Sequence, residues 1–77
     1  MALEVLFFGS LTDASLVPAL TVNDMVDTNE VKRFLEEKYP TLISAKYFMA
    51  VNQKMIQTNT LLQPGDTVAL MPPFSGG

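Results

Sequence analysis

The groups that could do chemistry lie at the end of this 77-residue chain, where Met71-Pro72-Pro73-Phe74-Ser75-Gly76-Gly77 closes the sequence. Neither proline can donate a backbone hydrogen bond, so a sheet ladder that reaches them must stop. Two adjacent prolines favour an extended, stiff segment, which holds the last residues away from the body. Phe74 is a large apolar group on that arm, suited to a pocket in another protein. Gly76 and Gly77 carry no side chains, so they can thread a narrow channel and leave the Gly77 carboxylate open to attack. A carboxylate is inert as it stands. Adenylated by a partner enzyme with ATP, it becomes an acyl-adenylate, and sulfur can displace that leaving group to give a thiocarboxylate. Chain ends are often glycine-rich and idle, so the glycine pair alone says little. Its position after Pro-Pro-Phe, behind a small domain, gives it weight.

The rest of the composition points the same way. There is no histidine and no cysteine, so the usual general base, thiol nucleophile and soft metal ligands are missing. No pair of acids stands out, and no metal site is expected. The catalyst is expected from a partner. Eight acids and five bases give a formal charge of −3. Lys32, Arg33, Lys38, Lys46 and Lys54 form no run, so nucleic acid is not an expected partner. An acidic surface suits a basic groove on another protein. The opening Met-Ala-Leu-Glu-Val-Leu-Phe-Phe lacks a basic leader, and Glu4 interrupts its apolar run. No stretch approaches the ~20 apolar residues of a membrane helix. The expected location is the cytoplasm, with no membrane partner.

The elements that must present this tail can be read from periodicity. In Leu3 to Phe8, Leu3, Val5 and Phe7 share one face, and Glu4, Leu6 and Phe8 the other, as in a strand. Gly9-Ser10 and Thr12-Asp13 signal a turn. A second strand is expected from Ser15 to Val22, with Pro18 marking an edge or bulge. Asp27 can cap a helix, with Glu30 completing a capping box and Val26 and Val31 placed for a hydrophobic staple. Val31, Phe34 and Leu35 follow helical spacing, and Pro40 stops the helix near Tyr39. Lys46 to Val51 reads as a strand, Asn52-Gln53 as a turn and Lys54 to Gln57 as a return strand. Pro64-Gly65 fits the centre of a type II turn, before a last strand from Thr67 to Met71. This order predicts one α+β domain over residues 1–77: a β-grasp, with a mixed sheet, one main helix packed on one face, and residues 72–77 as a flexible functional tail.

The sequence resembles the small subunit of molybdopterin synthase, the MoaD-type sulfur carrier of the ubiquitin-like MoaD/ThiS family. The likeness rests on Val5-Leu6-Phe7-Phe8, Ala50-Val51-Asn52-Gln53, Pro64-Gly65-Asp66-Thr67-Val68 and the Pro-Pro-x-x-Gly-Gly ending. The stretch Leu11-Thr12-Asp13-Ala14-Ser15-Leu16 departs from the family's Leu-Arg-Glu-Leu-like segment. The resemblance implies that an E1-like enzyme adenylates Gly77 with ATP and that a sulfur donor supplies the thiocarboxylate. The tail then enters the large synthase subunit, where sulfur passes to cyclic pyranopterin monophosphate. It also implies a heterotetramer of two small and two large subunits, and no cofactor bound by this chain.

If the last strand lies parallel to the first, Met71 comes beside Phe8. Met55 occupies a position where the family has an interface hydrophobe. Phe8, Met55 and Met71 are therefore expected to form an apolar patch at the root of the tail, and to bind partners together with Pro72, Pro73, Phe74 and Ser75. Three other readings stay open: a sulfur carrier for thiazole or tRNA thiolation, a ubiquitin-like modifier of protein lysines, and a binding module with an inert tail.

Overall fold

Strict alternation puts Leu3, Val5 and Phe7 on one side of the first strand, and all three are buried. They lie in β1 (Ala2–Phe7) of a computed structural model that describes residues 2–73. The chain continues through α1 (Leu11–Ser15), β2 (Ala19–Asn23), α2 (Thr28–Lys38), α3 (Thr41–Ser44), β3 (Phe48–Val51), β4 (Lys54–Ile56) and β5 (Thr67–Met71). The five strands form one mixed sheet in the order β2-β1-β5-β3-β4. β1 runs parallel to β5, and every other pair is antiparallel. This is the expected β-grasp: α2 lies across one face, and the last strand sits in the middle of the sheet.

The core fills the space between that face and α2. Leu3, Val5, Phe7, Val22, Val68 and Leu70 from the sheet meet Val31 and Leu35 from the helix. Each such buried side chain stabilises the fold by about 1.5–3 kcal/mol. Phe7 and Tyr39 meet edge to face, with ring centroids 5.9 Å apart. The Tyr47 hydroxyl donates to Glu36 Oε2 at 2.7 Å, tying the approach to β3 to the helix. Burial, reinforced by that carboxylate, pushes the Tyr47 hydroxyl well above the usual phenol range.

Several expectations need correction. The second strand begins at Ala19, not Ser15, because Leu11–Ser15 coil into a short helix. That helix ends on Leu16 in the left-handed region, at φ 66°. Ser15 is buried and its hydroxyl donates to the Val17 carbonyl. Pro18 precedes the strand, and its carbonyl accepts from the Phe7 amide at 2.9 Å. A further short helix, α3, follows Pro40 and buries Leu42.

The capping box is also displaced. Asp27 Oδ1 accepts from the Glu30 amide at 2.9 Å, but Glu30 Oε1 takes the Val26 amide instead of the capping residue's own. Val26 stays 53% exposed, so a staple covers little of it. Asn59, from a distant loop, completes the cap. Its Oδ1 accepts from the Asn29 amide at 2.8 Å and its Nδ2 donates to Asp27 Oδ2. These bonds to Glu30 and Asn59 hold the Asp27 carboxyl below the usual carboxylate range. No helix among the described residues is long and apolar enough to cross a membrane.

Candidate functional site

The sheet has a second face, turned away from α2, and it too is apolar. Register decides its membership. Leu6 and Phe8 share the side of β1 opposite the core. Ala69 pairs with Leu6, and Met71 follows it on β5. Phe48 pairs with Met71, and Ala50 with both Ala69 and Met55. Leu6, Phe8, Ala50, Ala69 and Met71 line one shallow depression here, with Glu4, Asn52, Gln53 and Thr67 towards its polar end. Phe8 and Phe48 are each 46% exposed and Met55 is 55% exposed, while Met71 is half-buried. Phe8, Met55 and Met71 thus stand on one face. Phe48 completes the patch, and sequence reasoning missed it. Alternation with Met49 and Val51 sets it on the other side of β3 from the core, but only the register places it beside Met71.

The tail leaves from the edge of this patch. β1 and β5 run side by side and end together, and the Phe8 amide still donates to the Leu70 carbonyl at 3.0 Å. Beyond that the two chains part. β1 turns off through Gly9, at φ +58°, and β5 runs on into Pro72. A Cβ on Gly9 would come within 2.9 Å of the Pro72 ring, so the turn and the proline are in close approach. Glycine suits this position twice over, for its backbone angle and for that lack of space. Pro72 is half-buried and Pro73 exposed. The remaining sequence-derived site residues, Phe74, Ser75, Gly76 and Gly77, lie outside the described residues.

The polar end of the face is held by a different device. Asn52 and Gln53 both take positive φ, 49° and 71°, which makes the β3–β4 connection a two-residue hairpin turn of the primed kind. The Asn52 side chain accepts from the Thr67 amide at 3.0 Å and donates to Asp66 Oδ1 at 2.9 Å. Asp66 Oδ2 in turn accepts from the Gln63 amide at 2.8 Å. The Asn52 and Gln63 donors hold the Asp66 carboxyl below its usual range. Gly65, at φ +85°, and the Asp66 amide bonded to the Gln63 carbonyl form the expected Pro-Gly turn. Two motifs far apart in sequence, Asn52-Gln53 and Pro64-Gly65-Asp66-Thr67, are therefore one bonded unit. It fixes the hairpin that carries Met55 to the patch.

Among the described residues, no group of three or more His, Cys, Asp or Glu could hold a metal ion. The patch offers apolar surface beside a fixed strand end.

The ThiS family model matches residues 5–77. This chain belongs to the ThiS family. Among its ThiS-type relatives, the molybdopterin synthase sulfur carrier subunit of Mycobacterium tuberculosis is 33% identical, over 96% of this chain and 95% of that protein. A chain in the solved complex of subunits 1 and 2 of the molybdopterin-converting factor from Helicobacter pylori is 30% identical. The match covers all of both chains, with a TM-score of 0.79. The small archaeal modifier protein 1 of Methanosarcina acetivorans has the same fold, with a TM-score of 0.84 over 99% of this chain and 96% of that one, at 24% identity.

Proposed function

We propose that this chain is a sulfur carrier for molybdopterin synthesis, with the Gly77 carboxylate as its working group. One observation carries the reading. The strand that leads to the Gly-Gly ending emerges beside an exposed apolar patch of Phe8, Phe48, Met55 and Met71. Relatives named as molybdopterin synthase sulfur carrier subunits support it.

The chemistry runs in two steps. An E1-like enzyme joins the Gly77 carboxylate to the AMP portion of ATP and releases pyrophosphate. A sulfur donor then attacks the acyl carbon, AMP departs, and a thiocarboxylate remains. The large synthase subunit receives the tail, and sulfur passes to cyclic pyranopterin monophosphate. Phe8, Phe48, Met55 and Met71 dock against that subunit, in a complex of two small and two large subunits, while Pro72, Pro73, Phe74 and Ser75 guide the tail. The Helicobacter complex supports such a partner. The chain supplies no catalytic residue and binds no cofactor; ATP is used by the activating enzyme. Its workplace is the cytoplasm, in keeping with a sequence free of cysteine.

The deciding experiment is intact mass after incubation with the activating enzyme, ATP and sulfide. The expected result is a gain equal to one oxygen exchanged for sulfur, absent from a Gly77 deletion. No gain with an enzyme that loads a control carrier would leave a docking module without cargo.

A further inference from the structure

The sheet has two open edges, and they are built differently. β4 has three residues, Lys54–Ile56, and carries a lysine. Short length and a charge are the usual means of keeping an edge from pairing. β2 has neither. Its five residues, Ala19-Leu20-Thr21-Val22-Asn23, contain no charge and no proline. Because the Pro18 carbonyl accepts from Phe7, even-numbered residues of β2 turn their backbone groups toward β1. By antiparallel alternation, Ala19, Thr21 and Asn23 turn theirs outward, and all three residues are exposed.

We propose that this edge is a homotypic docking strand, on which a second copy of the chain pairs antiparallel about Thr21. The pattern is self-complementary. With Thr21 opposite Thr21, Ala19 of each copy faces Asn23 of the other, and every outward N–H and carbonyl finds a partner. Asp24 then lies toward Pro18 of the other copy, so no like charges meet. Leu16 lies three residues before the strand and Val26 three residues after it, and both are exposed apolar side chains, at 83% and 53%. Antiparallel pairing brings Leu16 of one copy and Val26 of the other to the same end. The two-fold axis stands perpendicular to the sheet, so both apolar patches face the same side and stay open. The inference therefore does not rest on the sulfur-carrier reading.

Pairing along one short strand covers less than a standard interface, so the dimer is weak. Each copy carries a net charge of −3, so association strengthens with salt. The test is sedimentation equilibrium with amide NMR on the full chain, from about 10 μM to about 1 mM, the range in which exposed edges associate. The expected result is a monomer–dimer equilibrium in which the Ala19, Thr21 and Asn23 amides shift with concentration. Thr21→Lys keeps the fold, since residue 21 sits opposite Glu4 within the same copy. It sets like charges together across the two-fold axis and should weaken association by up to about fivefold. A monomer throughout, shifts confined to Phe8, Phe48 and Met55, or a Thr21→Lys variant that associates as before would each overturn the proposal.

Discussion

The two faces of the sheet are made from the same alternation and serve opposite ends. On one, Leu3, Val5, Phe7, Val68 and Leu70 are closed over by α2 and almost wholly buried. On the other, Leu6, Phe8, Phe48, Met55 and Met71 have no helix above them, and the larger ones stay about half exposed. Composition separates the faces only in part, since the open one is apolar along Leu6, Phe8, Phe48, Met55 and Met71 and polar at Glu4, Asn52 and Thr67. Cover separates them: the chain has one long helix and places it on one side. An apolar face that the fold leaves uncovered, beside the departing tail, is the kind of patch that often marks an interface, and the proposed docking rests on it.

The sharpest test of this contrast is a matched pair of substitutions. Leu70→Ala, on the covered face, should cost about 2–5 kcal/mol, a large share of the stability of a domain this size. Urea denaturation would show it, and a loss under about 1 kcal/mol would mean Leu70 is not core. Phe8→Asp, on the open face, should change stability by less than about 1 kcal/mol and weaken binding to the large synthase subunit tenfold or more. Titration calorimetry beside a thermal melt reads both quantities. Unchanged affinity would break the contrast at its functional end.

A smaller effect tests the hairpin that brings Met55 to the open face. Gln53 holds φ 71° without being glycine. Gln53→Gly should raise stability by about 1 kcal/mol, because the strain of the left-handed region is relieved. Least of all is the effect of acid. Asp27 and Asp66 have folded-state pKa values below those of the unfolded chain. Their contribution is therefore complete above the ordinary carboxylate value of about 4 and is lost as pH falls through the lower folded values. Melts across that window should show the decline, and Asn52→Ala should reduce it by removing the main donor to Asp66.

The covered face was legible in the sequence wherever a period met a terminator. β1 alternates cleanly, α2 is capped by Asp27 and stops before Pro40, and β5 comes after Pro64-Gly65. Where segments are too short to show a period, reading failed. Leu11–Ser15 has five residues and Thr41–Ser44 four, barely a helical turn each. The end of the first reads as the start of a strand, and nothing local marks Leu42 in the second as buried. For the open face, alternation together with a parallel pairing of first and last strands was enough to find Phe8 and Met71. Phe48 needed the register that sets it opposite Met71 across more than twenty residues, and no local pattern encodes that pairing. Asn59 is a similar case, since nothing near it in sequence marks it as the cap of a helix that begins thirty-one residues earlier.

The middle place of β5 has a consequence for the protein's synthesis. β1 and β2 can pair as soon as they leave the ribosome, and so can β3 and β4, but the two hairpins share no ladder until β5 enters between them. The sheet closes only when residues 67–71 have been released. Before then, only the packing of α2 can link the two hairpins. A closed sheet is therefore a sign that residues 67–71 are in place.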